Sequence, residues 1–169
     1  MRRISLTQGQ FAIVNDEDYD FLMQWKWYAR RGRKTWYAAR GEPYPDGRLR
    51  KNGAKMQRTV LMHRIISQAV SGQHIDHRNC NGLDNRRRNL RVCTNGQNQQ
   101  NRLPQKNCSS SYKGVSWKKQ SRKWFAQIGR NSKNYFLGYF HIEIDAARAY
   151  DKKAKELFGE FAHLNFKET

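Results

Sequence analysis

Between Asp84 and Glu143 the chain contains no aspartate or glutamate, although that stretch carries 13 lysines and arginines. A surface kept merely soluble can intersperse both signs, so this segregation needs another cause. Cysteine is also scarce. Cys80, Cys93 and Cys108 show no CxxC spacing, which excludes a four-cysteine zinc site, argues against a disulfide framework and reads as free thiols of a reducing compartment. Long apolar runs are missing as well: none approaches the roughly 18 residues of a membrane span. The opening MRRISLTQGQ is a charged pair followed by polar residues, unlike a secretion signal. The expected location is the cytoplasm, that of the host cell if a phage encodes the protein.

What is present is charge of one sign on a chain rich in large side chains. Lys and Arg number 33 against 14 Asp and Glu, for a formal charge of +19 over 169 residues. Such a field calls for a polyanionic partner. The acid-free stretch also holds Trp117, Trp124, Phe125, Tyr135 and Phe136, more aromatic surface than a solvated basic tail would carry. Nucleic acid therefore ranks ahead of an anionic membrane, and the length suits one ordinary domain or two small ones.

Residues 1 to about 60 read as short strands and turns: ISLTQGQFAIV, WKWYARRGRKTWYAAR, a loop rich in Pro, Gly and Arg over 42–55, then MQRTVLMHRII. Within them NDEDYDFLMQW predicts a short helical turn capped by Asn15. From 61 to 102 the composition shifts to His, Asp, Asn and Arg, too polar to build a core of its own. A polar linker, LPQKNCSSS, follows over 103–111. The segment 112–166 then predicts strands at KGVSW, KWFAQI and NYFLGYF and a helix over about 143–158. On that helix Ala147, Tyr150, Ala154, Leu157 and Phe158 share a face, Glu143 and Asp145 suit the first turn, and Gly159 sits where a C-cap belongs.

The string HIDHRNCNGLDNRRRNLRVCTNGQNQQNR concentrates a carboxylate, histidines and many carboxamides around turns. Phosphodiester hydrolysis needs a group to deprotonate water, charge to neutralise the scissile phosphate, and a group to orient the base. Asp76 and His77 could supply ligand and base side by side, with Asn89 and Asn98 available for orientation and a second ligand. Hard oxygen donors favour Mg2+ or Mn2+. Thr94 and Gln97 form a T-x-x-Q capping box, which starts a helix at Asn95 with Asn98 in its first turn and makes 90–93 the strand before it.

This pattern resembles the HNH endonucleases of phage and intron origin, in particular the homing type with asparagine in the third position. The words that carry it are the Asp76-His77 pair, Asn89 in RRNLR and Asn98 in NGQNQQNR, within a similarity spanning about residues 5–102. The resemblance implies His77 as general base, Asp76 and Asn98 as ligands of one divalent metal, and Asn89 orienting the imidazole. His63 in LMHRII matches a histidine common ahead of the motif and is given a supporting role. Asn79, Asn81, Asp84 and Asn85 are read as ordinary turn residues. A zinc site from His74, His77, Cys80 and Cys93 is the competing local reading, without a standard finger spacing. Arg86, Arg87 and Arg88 are expected to meet phosphates, though on a strand-loop-strand ribbon not all three can face one way.

The carboxy-terminal segment resembles the APETALA/ethylene-response-factor DNA-binding domain, through YKGV, KW-x-A-x-I, LG-x-F, AA-x-AYD and LNF in order. That implies a three-stranded sheet in the major groove with a helix behind. Lys113, Lys118, Lys119, Arg122, Lys123, Arg130 and Lys133 would position phosphates, and Trp117 or Gln127 could touch base edges. Ser116, Gly129 and Asn134 stand where plant members carry arginines. Trp124, Phe140, Tyr150 and Phe158 are assigned to core packing.

The reading is therefore α+β: a β-rich amino-terminal segment and a ββα-metal nuclease core over 1–102 with its motif at 61–102, a linker over 103–111, and a DNA-binding module over 112–166. The expected function is metal-dependent cutting of double-stranded DNA by a monomer with no membrane or obligate protein partner. A non-catalytic DNA-binding protein with a worn nuclease fold is the rival, and an RNA-binding module a weaker third.

Overall fold

The computed structural model describes residues 1–104 and 108–166, so part of the linker expected at 103–111 lies outside the described residues. The chain forms two compact units that divide between Thr94 and Asn95.

In the first unit, β1 (Arg2–Ser5) pairs antiparallel with β2 (Phe11–Val14) across a 3-10 turn. α1 (Asp16–Leu22) follows, with three acidic residues in its first turn, where the helix dipole favours them. Asn15 stands at its N-cap position but does not cap it; its Oδ1 accepts the backbone N–H of Arg87 at 2.9 Å, tying the helix start to the motif region instead. β3 (Tyr28–Arg31), β4 (Trp36–Pro43) and β5 (Gln57–Leu61) form an antiparallel sheet with β4 central.

The stretch MQRTVLMHRII does not continue as one strand. At Met62 it turns into a short helix, α2 (Met62–Ile66), because the pattern that must be buried there is Met62, His63 and Ile66, a helical rather than an alternating spacing. Met62 and Ile66 join Ile4, Ala12, Val14, Leu22, Trp27 and Ala38 in the core. Each such side chain contributes roughly 1.5–3 kcal/mol on burial, less for the alanines. Trp27 keeps its indole N–H satisfied on the Leu22 carbonyl at 2.8 Å. β6 (His74–His77) and β7 (Leu90–Cys93) complete the unit as a two-stranded ribbon.

The second unit begins with α3 (Asn95–Gln100). β8 (Val115–Lys118), β9 (Lys123–Arg130) and β10 (Lys133–Phe140) then form an antiparallel sheet with β9 in the middle, and α4 (Glu143–Phe158) packs on one face. Ala146, Ala147 and Ala154 are fully buried, so the helix lies close against the sheet. Trp124, Phe140, Tyr150 and Phe158 all belong to the packing between them. One buried carboxylate anchors the segment that follows α4. Asp151 accepts the backbone N–H groups of Asn165 and Phe166 at 2.8 and 2.9 Å, while Asn165 Oδ1 accepts the Lys113 N–H at 2.6 Å.

Candidate active site

The ribbon register sets Asp76 opposite Arg91 and His77 opposite Leu90. Asp76 and Arg91 are both more than nine-tenths buried, and Arg91 donates through Nη2 and Nε to Asp76 Oδ2 at 2.6 and 2.8 Å. A cross-strand pair removed from water must be matched this closely, because either charge alone would cost several kcal/mol.

The loop between the strands is held by carboxamides. Asn89 donates through Nδ2 to the Asp84 carbonyl at 2.7 Å and to Asn79 Oδ1 at 3.0 Å, while its Oδ1 accepts the Asn79 N–H at 3.1 Å. Asn79 in turn donates to Asp84 Oδ2 at 2.8 Å, and Asn81 Oδ1 accepts the Leu83 N–H at 3.1 Å. The loop is also bonded to β2: Ile13 donates to the Leu83 carbonyl and receives the Asn85 N–H, both at 2.8 Å. Gly82 packs against β4 so tightly that a Cβ would stand 2.4 Å from the Trp36 carbonyl oxygen and 2.6 Å from the Tyr37 ring, which only glycine permits.

These bonds fix what surrounds His77. Its Nε2 faces Asn85 Oδ1 at 3.3 Å, and Asn85, with no exposed surface, donates its own Nδ2 to the Leu83 carbonyl. His63 packs perpendicular to the His77 ring at 5.0 Å between centroids, and Tyr37 lies 5.7 and 6.0 Å from the two rings. Burial pushes the His77 imidazole below the usual histidine value, against the opposing influence of Asn85, Asp76 and Asp84. His63 is pushed to about 3, first by burial, then by His77 and Arg64, and its Nδ1 has no hydrogen-bond partner among the described residues. The Tyr37 hydroxyl is raised by burial and by its nearness to Cys80 and Asp76.

The structure thus brings Asp76, His77 and His63 together in the first unit, while Asn98 lies half-buried in the first turn of α3 in the second. The Asn89 amide holds the loop, and Asn85, read from sequence as a turn residue, meets the imidazole. Asn79 and Asp84 are likewise more than turn formers. The zinc reading also falls away: among the described residues no group of three or more His, Cys, Asp or Glu is placed to hold a metal.

The three consecutive arginines separate. Arg86 forks onto Asp84 at 2.7 and 2.6 Å, Arg87 pairs with buried Asp18 at 2.6 Å and with Glu17 at 2.9 Å, and Arg88 is exposed. Two of the three guanidinium groups expected on phosphates are therefore engaged by carboxylates of the fold. In the second unit Lys113 Nζ donates to the Gln100 carbonyl at 2.5 Å. Trp117 packs edge-on to Trp124. Lys118, Lys119, Arg122, Gln127, Arg130 and Lys133 are exposed, and Lys123 is partly so.

Sequence reasoning missed Asn85, Tyr37 and Arg91. Arg91 alone left a signal: a cation in the interior of a short apolar strand needs a buried carboxylate across from it. Asn85 and Tyr37 take their positions from contacts 8 and 40 residues away along the chain, which no local pattern encodes.

The family model described as HNH endonuclease matches residues 60–100, the segment from the end of β5 through α3. A protein of Acanthamoeba polyphaga mimivirus named as an uncharacterized HNH endonuclease is 31% identical over 160 residues, covering 94% of this chain and 76% of that one. Dehydration-responsive element-binding protein 2D of Arabidopsis thaliana is 40% identical over 65 residues, 37% of this chain and 31% of that protein. With the motif segment matched and the similarity to the viral protein running nearly end to end, the chain belongs to the HNH endonuclease family.

Proposed function

We propose that this HNH endonuclease is of the homing type and hydrolyses phosphodiester bonds of double-stranded DNA with one divalent cation, anchored by its carboxy-terminal sheet-and-helix module. The observation that carries the reading is His77, buried beside Asp76 and oriented by a loop whose every turn is hydrogen-bonded in place. With the Asn85 amide donating to Leu83, its oxygen faces His77 and selects the tautomer protonated at Nε2, so the lone pair resides on Nδ1. That nitrogen takes a proton from water, the water oxygen attacks phosphorus, and the bond to the 3′ oxygen breaks. The leaving oxygen gains a proton from solvent, and the products carry 5′-phosphate and 3′-hydroxyl ends. His63 and Tyr37 wall the imidazole and keep its ring plane fixed.

The donor chemistry fits a hard cation. The Asp76 carboxylate would hold Mg2+ or Mn2+, which would neutralise charge on the scissile phosphate and the departing oxygen, and the family resemblance offers the Asn98 carboxamide as a second ligand. One base per chain makes a nick in one strand the elementary event.

The test is incubation of supercoiled DNA from the source genome with the wild-type chain and with His77→Ala, each with Mg2+, Mn2+ or chelator. Metal-dependent nicking that is lost in the variant, with 5′-phosphate ends, is the expected result. Cutting that survives in chelator, or in the variant, overturns the reading.

A further inference from the structure

The face of the β8–β9–β10 sheet turned away from α4 carries a feature that phosphate binding does not require. Along β9, Ala126 and Ile128 point to the helix, so Lys123, Phe125 and Gln127 point outward by the alternation of a strand. On β10 the register slips between Phe136 and Gly138, where Gly138 adopts φ 130, a conformation side-chain-bearing residues rarely reach. The slip reverses the alternation. Without it Phe136 and Tyr139 would face opposite ways; with it Phe136 pairs with Gln127 and Tyr139 with Phe125, and both rings emerge on the open face. Phe136 and Tyr139 are 59% and 50% exposed. With Phe125 they form a closed trio whose centroids lie 5.4–5.5 Å apart.

The surroundings restrict what covers this trio. Lys118 and Lys123 are directly opposed in register at the start of β9, on the open face by the same alternation. Like charges placed opposite each other destabilise a sheet unless an anion lies over them. Lys118 Nζ stands 4.7 Å from the Phe125 ring centroid. An aromatic patch with two lysines beside it, in a segment without an acid, fits nucleic acid and not an apolar protein surface. The rings cover one another and present a continuous apolar surface, unlike the separate open ring faces on which unpaired bases stack. The apolar group that duplex DNA offers in its major groove is the C5 methyl of thymine.

We propose that the Phe125, Phe136 and Tyr139 trio packs against thymine methyl groups in the major groove, so that the module selects thymine-bearing duplex by apolar contact while the flanking cations hold phosphates. The proposal rests on the anchoring role given to this module above. It is tested with the full chain in chelator, by competition between two random-sequence duplex pools of one length, one made with thymine and one with uracil. The expected result is binding about threefold to tenfold tighter to the thymine pool, the discrimination of one or two buried methyl groups. Phe136→Ala brings that ratio close to one without changing the dependence on salt. Phe136→Leu, which keeps an apolar side chain, retains part of it. Equal binding of both pools with salt sensitivity intact overturns the methyl contact and leaves the anchor standing. Absence of salt-sensitive duplex binding overturns the anchor, and tighter binding of single strands of the same length overturns the duplex as occupant.

Discussion

The two compact units use their charges differently. In the first, several arginines are partnered by carboxylates within the fold: Arg91 by Asp76, Arg86 by Asp84, Arg87 by Asp18, and Arg40 and Arg58 by Glu42. In the second, Lys118, Lys119, Arg122, Lys123, Arg130 and Lys133 lie in an acid-free segment and carry no ion pair among the described residues. Charge builds geometry in the one and remains available to a partner in the other. The same net positive composition therefore serves two physical ends, and substitutions should separate them.

The largest effect is expected at the buried pair. Arg91→Leu leaves the buried Asp76 carboxylate without its partner, and should cost about 3–5 kcal/mol in denaturant unfolding of the first unit. The double variant with Asp76→Leu should recover most of that, since the pair can be replaced by apolar side chains at little cost. No recovery would mean that the pair does more than neutralise itself.

A comparable effect is expected with pH. His63 binds a proton near 6.5 when unfolded and only near 3 when folded. Between those values the unfolded state holds the extra proton, so stability falls as pH drops, by up to about 1.4 kcal/mol per pH unit. His63→Leu should flatten that limb of the stability profile for the first unit and leave the second unit unchanged. An unaltered limb would assign the acid sensitivity elsewhere.

Asn89→Ala removes three hydrogen bonds from the loop and should cost about 2–3 kcal/mol. Nicking should fall with it while duplex binding persists, because the amide acts on the position of the base and not on the anchor. At the other extreme, Glu156→Ala breaks only the exposed pair with Lys153 and should change stability by less than about 0.5 kcal/mol.

How far the sequence reveals this division depends on the range of the interactions. The helix over 143–158 and the three strands before it were legible, because alternation and helical spacing are local. The Asp76-His77 pair was legible from residue type alone, and the ribbon that carries it from the adjacent strand 90–93. The handover from β5 to α2 was not, since a strand-like run of apolar residues gives no sign that Met62 and Ile66 must reach the same core. Nor was the contact of Asn85 with His77, which depends on how β2 pins the loop. The aromatic trio was hidden for a related reason. Its residues fall at 125, 136 and 139, and only the slip at Gly138 puts them on one face.

The most direct test of the division compares His77→Ala with the double variant Lys118→Gln, Lys123→Gln in parallel assays of duplex binding in chelator and of nicking in Mg2+. The account predicts that His77→Ala binds like the wild type and does not nick. The lysine variant should bind more weakly with a salt dependence reduced by about two counterions, and nick once the DNA concentration is raised to compensate. If instead His77→Ala loses binding, or the lysine variant fails to nick even when saturated with DNA, cutting and holding are not divided between the two units.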